Sequence, residues 1–197
     1  MTLKGTKIGL GITGSHCTLE KIIPVIEALV RKEAEVYPVI SPSVQNSNTR
    51  FGNADYWYRR IEEAAGREPL KTIVEVEPFG PSKIIDVMVI APCTGNTLAK
   101  LSNGITDTSV LMAAKAQLRN QKPVVLAVST NDGLGINLKS MSVMLNTKNI
   151  YMVPFYQDDP QNKPNSIIAR MDQLIPAIKA ALQKEQIQPL LTFKEVD

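Results

Sequence analysis

Short, continuously apolar runs alternate with longer amphipathic ones along the chain. KIGLGI, Lys7 to Ile12, predicts a buried strand, and the turn residues Thr13, Gly14, Ser15 and His16 follow it. From Cys17 to Lys32 apolar residues recur at Ile22, Ile23, Ile26, Leu29 and Val30, the spacing of one helical face. EVYPVI, Glu35 to Ile40, predicts a second strand. The polar SPSVQNSNTRFGN then reads as a long loop, and Ala54 to Ala65 as a helix ended by Gly66. A short strand is expected at Thr72 to Val76. DVMVIAP, Asp86 to Pro92, is apolar on both faces, as a central parallel strand must be. Helices are expected at Thr94 to Leu101 and Asp107 to Leu118, and a further buried strand at Pro123 to Ser129. The loop TNDGLGIN leads to a helix at Leu138 to Leu145, a strand in NIYMVP, and a last helix from Asn165 to Leu182. The polar tail, residues 184–197, reads as surface or oligomer contact. This alternation implies one α/β domain over residues 1–197: a doubly wound parallel sheet in a flavodoxin-like or Rossmann-like three-layer sandwich. Ligands in such folds bind at the C-terminal strand ends.

Composition narrows the classes. With 197 residues, 44% hydrophobic and 21% charged, the chain can bury one full core. A net charge of +3 with both signs interleaved leaves no basic footprint for nucleic acid. The longest apolar run, around Val87 to Pro92, is far shorter than the roughly 20 residues of a membrane span. The start MTLKGTKIGLGI has no long apolar segment ahead of a small-residue cleavage site, so no secretory leader is expected. One histidine, His16, and two distant cysteines, Cys17 and Cys93, are too few for a zinc site or a disulfide framework and suit a reducing cytosol. A Ser-His-Asp hydrolase would have to use His16, and no GxSxG is present.

Gly9, Gly11 and Gly14 match GxGxxG letter for letter, yet the context argues against a dinucleotide site. Only about two strand residues precede Gly9, and the second strand ends Ile40-Ser41, where the fingerprint needs an acidic residue for the ribose. The alternative keeps Gly9 and Gly11 in the strand and makes Gly14, Ser15 and His16 the turn. Amides of Ser15, His16 and Cys17 then open a helix whose positive end attracts an anion, with hydroxyls from Ser15 and Ser41. A second polar cluster follows the central strand: Thr94, Gly95, Asn96 and Thr97 at the first helical turn, and Lys100 one turn on. Each cluster alone is ordinary capping chemistry. Two at adjacent strand ends point to a ligand carrying a phosphate and a planar polar ring.

The GxTGS turn, Ser41 after the second strand, and APxTxNTxxKxxxGxxD resemble the flavoprotein fold of FMN-dependent cysteine decarboxylases, which includes phosphopantothenoylcysteine decarboxylase and the lantibiotic decarboxylases. Within that family, the stretches GSHCT, QNSNTRFG, VIAPCTGNTLAK, LMAAKAQLRNQKPVVLAVSTNDGLGIN, TKNIYMVPFYQD and KPNSIIARM resemble the branch from spore-forming Bacillus-type bacteria that oxidises dihydrodipicolinate to dipicolinate. That branch implies a partner A subunit resembling nucleotide-binding dehydrogenases, a small dicarboxylate substrate, a homo-oligomer and the mother-cell cytoplasm. FMN on this chain and NAD(P) on the partner are the implied cofactors, with Ser129 and Thr130 joining the two polar clusters around FMN. Cysteine decarboxylases of the fold carry an active-site histidine beyond the second strand and a PxMN loop. Here no histidine follows His16, and the loop reads Ser129-Thr130-Asn131. A stand-alone FMN-dependent decarboxylase and a non-catalytic scaffold that keeps the pocket remain as alternatives.

A dianionic substrate calls for cations and amides. Arg50, in the long loop at the site end of the sheet, and Asn131 are the candidates, with His16 as a proton shuttle and Asp107 as a helix cap or active-site acid. Arg170 is expected in a structural salt bridge and Lys163 on the surface. Cys17 and Cys93 read as small buried hydrophobes, and Tyr56, Trp57 and Tyr58 as core packing on a helix.

Overall fold

Successive side chains of a strand turn to opposite faces, and in these continuously apolar strands both faces are covered. The computed structural model describes residues 1–193. β1 (Lys7–Ile12) lies between β2 (Glu35–Ile40) and β3 (Val87–Cys93), parallel to both, with Gly9 registered against Tyr37 and Met88. β4 (Val124–Thr130) pairs parallel with β3 and with β5 (Ile150–Met152). Two short strands, β6 (Phe155–Tyr156) and β7 (Ile167–Ala169), form an antiparallel ladder that joins the C-terminal end of β4, where Ser129 and Thr130 face Ile168 and Ile167.

The parallel part therefore runs β2-β1-β3-β4-β5, a doubly wound order that reverses at β1. Connections after β1 and β3 leave on opposite faces, so a crevice opens between them. Ile8, Leu10, Val87 and Val89 pack under α1 (Leu19–Arg31), α3 (Ala54–Ala65) and α8 (Leu174–Leu182). Met88, Ile90, Val124 and Leu126 pack under α5 (Gly95–Ser102), α6 (Ser109–Arg119) and α7 (Leu138–Leu145). Burying one such side chain contributes about 1.5–3 kcal/mol, so a one-residue register slip in a central strand would forfeit several of these at once.

Gly9 and Gly11 serve this packing. A Cβ at Gly9 would lie 2.7 Å from Ile85 Cδ1, and one at Gly11 2.7 Å from Val110 Cγ1. Both stay inside β1, as expected of residues that do not form a dinucleotide turn.

Several elements differ from the sequence expectations. The helix expected from Cys17 begins with a 3-10 turn, His16–Thr18, and becomes α-helical at Leu19. The long loop after β2 contains α2 (Pro42–Asn46), with Pro42 at its first turn after Ser41. Thr72 to Val76 is not a strand: α4 (Ile73–Val76) forms there because Thr72 and Glu75 make a reciprocal capping box. The expected last helix is split. Ile167–Ala169 forms β7, Met171–Gln173 a 3-10 turn, and α8 starts at Leu174. Asp107 does not begin a helix; Thr108 caps α6 by accepting from Leu111 N. Of the tail, residues 194–197 lie outside the described residues. Among the described residues no helix is long and apolar enough to cross a membrane.

Candidate functional site

The C-terminal ends of β1 to β4 carry two adjoining cavities of about 430 and 440 Å3 that share Gly14, Thr94 and Asn96. The first is lined also by His16, Cys17, Phe51 and Ser129 to Asn131, together with Asp158, Lys163 and Ser166 from the β6–β7 connection. Ser41, Ser43, Thr97, Lys100, Asp107 and Thr108 line the second.

Hydrogen bonds hold the two polar loops in register. Thr13 Oγ1 donates to Pro92 O at 2.7 Å and accepts from Thr94 N at 3.0 Å, so the turn after β1 is stapled to the exit of β3. Thr94 Oγ1 accepts from Thr97 N at 3.2 Å and caps α5, and the two threonine hydroxyls are 3.0 Å apart. Ser15 N donates to Thr13 O, so that amide is not open to an anion, while Ser15 Oγ lies 2.9 Å from Thr18 Oγ1. Ser41 N donates to Ile12 O and ties β2 to β1. Gly95 starts α5 against the loop after β4: Thr130 Oγ1 donates to Asp132 Oδ1 at 2.5 Å and Asn137 Nδ2 to Asp132 Oδ2 at 2.8 Å.

Three polar atoms in these walls are left without a protein partner. Ser41, 7% exposed, and Ser129, 5% exposed, have hydroxyls with no hydrogen bond among the described residues, and His16 Nδ1 has none either. Burying such a group unpaired costs about 1–3 kcal/mol; Trp57 Nε1, Gln117 Oε1 and Ser140 Oγ also lack a partner among the described residues, but they line neither cavity. One orphan hydroxyl lines each cavity. The donor set, made of serine and threonine hydroxyls, the amides of Asn96 and Asn131 and two ion pairs, Lys100–Asp107 and Lys163–Asp158, fits a flavin mononucleotide in its need for phosphate and ring-edge partners.

The charges are arranged to match. Burial lowers the His16 pKa, favouring the neutral imidazole, and Nε2 lies 3.4 Å from Ser43 Oγ. Lys100 is held by Asp107 at 2.6 Å. Burial alone would raise the Asp158 carboxyl, but the Ser166 hydroxyl donating at 2.6 Å and the nearby Lys163 hold it below the usual range. Cys93 is fully buried, as expected, and its thiol is pushed up to about 12; Cys17, expected to be buried too, is instead exposed in the cavity wall, because it sits in the 3-10 turn that opens onto the first cavity.

The fold thus brings together Gly14, Ser15, His16, Thr94, Gly95, Asn96, Ser129, Thr130 and Asn131, with Ser41, Thr97, Lys100 and Asp107 next door. Arg50 lines neither cavity: Phe51 does, and the Arg50 guanidinium stacks over its ring at 4.8 Å. Lys163 is exposed, as expected, and also lines the first cavity, while Arg170 makes its expected structural pair with Asp172 at 3.1 Å. Trp57 is buried in the core, and Tyr56 beside it is exposed. Sequence reasoning missed Thr13, Asp158 and Ser166. Thr13 sits in the recognisable TGS turn and could have been found, but nothing local marks the other two.

The chain matches the family model described as Flavoprotein over residues 1–176. It is 52% identical over 190 residues to the B subunit of dipicolinate synthase from Bacillus subtilis (strain 168), covering 96% of this chain and 95% of the relative. Its structure superposes with a TM-score of 0.91 on the B subunit of dipicolinate synthase from Bacillus halodurans C, at 47% identity over 99% of this chain and 100% of the other. The FMN-dependent cysteine decarboxylase SpaF, at 20% identity and a TM-score of 0.67 over 92% and 98% of the two chains, shares the fold.

Proposed function

The chain belongs to the Flavoprotein family, and on that premise we propose that it serves as the B subunit of a dipicolinate synthase. In this reading it acts with an A-subunit partner to oxidise dihydrodipicolinate to dipicolinate in the mother-cell cytoplasm of a sporulating bacterium. The observation that carries the reading is the 52% identity, running nearly end to end, to a protein named for that synthase. The orphan hydroxyls of Ser41 and Ser129 support a ligand-binding rather than a purely architectural role.

Aromatising a dihydropyridine removes a hydride and a proton, so an electron acceptor and a base are required. FMN, when bound, supplies a two-electron acceptor. Ser15, Ser41, Thr94, Gly95, Asn96, Thr97, Ser129 and Thr130 would hold it, and the Lys100–Asp107 pair closes the second cavity without adding net charge. NAD(P) is assigned to the partner, because β2 here ends Ile40-Ser41 and the β1 glycines are committed to packing. His16, whose pKa burial lowers in favour of the neutral imidazole, takes the proton from the substrate ring. Asn131 in the same cavity donates its amide to a carboxylate, and Arg50 adds positive charge at the rim through its stack on Phe51.

The test is reconstitution. Chain and partner together, with FMN and NAD(P) supplied, should convert dihydrodipicolinate to dipicolinate, and Thr94→Ala with Asn96→Ala should abolish it while folding and partner binding persist. Full conversion by the partner alone, or by the doubly substituted chain, would favour the scaffold role. Turnover of a cysteinyl peptide by the isolated chain would favour a decarboxylase.

A further inference from the structure

We infer that Lys163 recognises one carboxylate of the dicarboxylate substrate by giving up its partner Asp158. This rests on the functional reading above and deepens it by naming a specificity-determining residue. The cavity that contains Asn131 and the orphan Ser129 hydroxyl has Lys163 as its one lysine or arginine among the described lining residues, and burial lowers the His16 pKa, favouring the neutral imidazole there. The other lysine near the site, Lys100, is held by Asp107 at 2.6 Å. Lys163 is held much more loosely, 3.6 Å from Asp158 Oδ2, and its side chain is half exposed. An ion pair of this exposure contributes little to stability, so exchanging it is cheap. Asp158 does not lose its anchor when Lys163 moves, because Oδ1 still accepts from Ser166 Oγ at 2.6 Å.

The backbone presenting Lys163 is well fixed. Lys163 N donates to Asp159 O at 2.8 Å, Ser166 N to Lys163 O at 2.9 Å, and Gln157 Nε2 to Pro164 O at 2.9 Å. Leu134 N donates to Asn165 O at 3.0 Å and ties this connection to the loop that follows β4. A fixed stem with a loosely engaged ammonium at its tip is suited to discriminating a second carboxylate, whose charge replaces that of Asp158.

Isothermal titration of the full chain with pyridine-2,6-dicarboxylate and with pyridine-2-carboxylate tests this. The unsubstituted chain should prefer the diacid. Lys163→Gln should weaken diacid binding about tenfold and monoacid binding much less, the loss expected for one charge-assisted contact. Lys163→Arg should restore the preference, and Asp158→Asn, which keeps an acceptor for Ser166, should strengthen diacid binding. Diacid binding unchanged in Lys163→Gln, or an equal loss for both acids, overturns the assignment of Lys163 while leaving the functional reading intact. Failure of the unsubstituted chain to bind the diacid overturns the functional reading itself.

Discussion

Replacing Gly95 with alanine adds one methyl group at the first position of α5, and two effects oppose each other. Alanine is a better helix former than glycine by at most about 1 kcal/mol, and by less at a helix end. Against that, the new Cβ would lie 2.6 Å from Asn137 Nδ2, 2.6 Å from Thr130 Oγ1 and 2.8 Å from Asp132 Oδ1. None of these is a free chain end, because Thr130 and Asn137 both donate to the Asp132 carboxylate. Relieving the clash breaks at least one hydrogen bond to a charged group, at about 1.5–3 kcal/mol, and overpacking alone costs about 1–3 kcal/mol. The clash wins, with a net destabilisation of about 2 kcal/mol, or roughly 4–8 °C in Tm for a chain of this size. Thermal unfolding followed by circular dichroism measures it. Gly80→Ala is the control: its Cβ would meet nothing closer than 3.5 Å, so its Tm should be unchanged or slightly raised. Because Thr130 and Asn131 line the first cavity, Gly95→Ala should also weaken ligand uptake. A Tm at or above that of the parent would mean that helix propensity outweighs the contacts, refuting the packing argument.

Three further outcomes are expected. Ser41→Ala and Ser129→Ala remove hydroxyls that lack a protein partner, so the ligand-free protein should be unchanged or about 1 kcal/mol more stable, while FMN affinity measured by fluorescence quenching falls about tenfold; a clear loss of ligand-free stability would contradict this. With the partner present, the rate should fall toward acid through a midpoint below the ordinary imidazole value of about 6.5, because burial lowers the His16 pKa and the base must be neutral. A midpoint above that value, or the same limb in an active His16→Gln variant, would remove His16 from the role. A thiol reagent should label one cysteine per native chain, Cys17, and both after unfolding, since Cys93 is buried with its thiol pushed up to about 12.

The chain itself determined the wound sheet and the place of the site. Largely apolar runs at β1, β3 and β4, bounded by turn residues, read as strands covered on both faces, and the polar clusters after β1, β2 and β3 then meet at the C-terminal ends of a parallel sheet. The Thr72-to-Glu75 capping box was also there to be read, though the apolar Ile73, Val74 and Val76 suggested a strand. Other features depended on partners far along the chain. Ile167 to Ala169 could have continued a helix, but Ser129 and Thr130 offer it a strand edge, so backbone pairing overrides local periodicity. In the same way Phe51 rather than Arg50 enters the cavity, and the β6–β7 ladder carries Lys163 and Asp158 to its wall. Periodicity and turn chemistry act over a few residues, so they fix each element and the edge at which loops gather. Which side chain faces a ligand is decided by how segments over a hundred residues apart are assembled, such as those that place His16 and Lys163 in the wall of one cavity, and only the assembled fold brings these together.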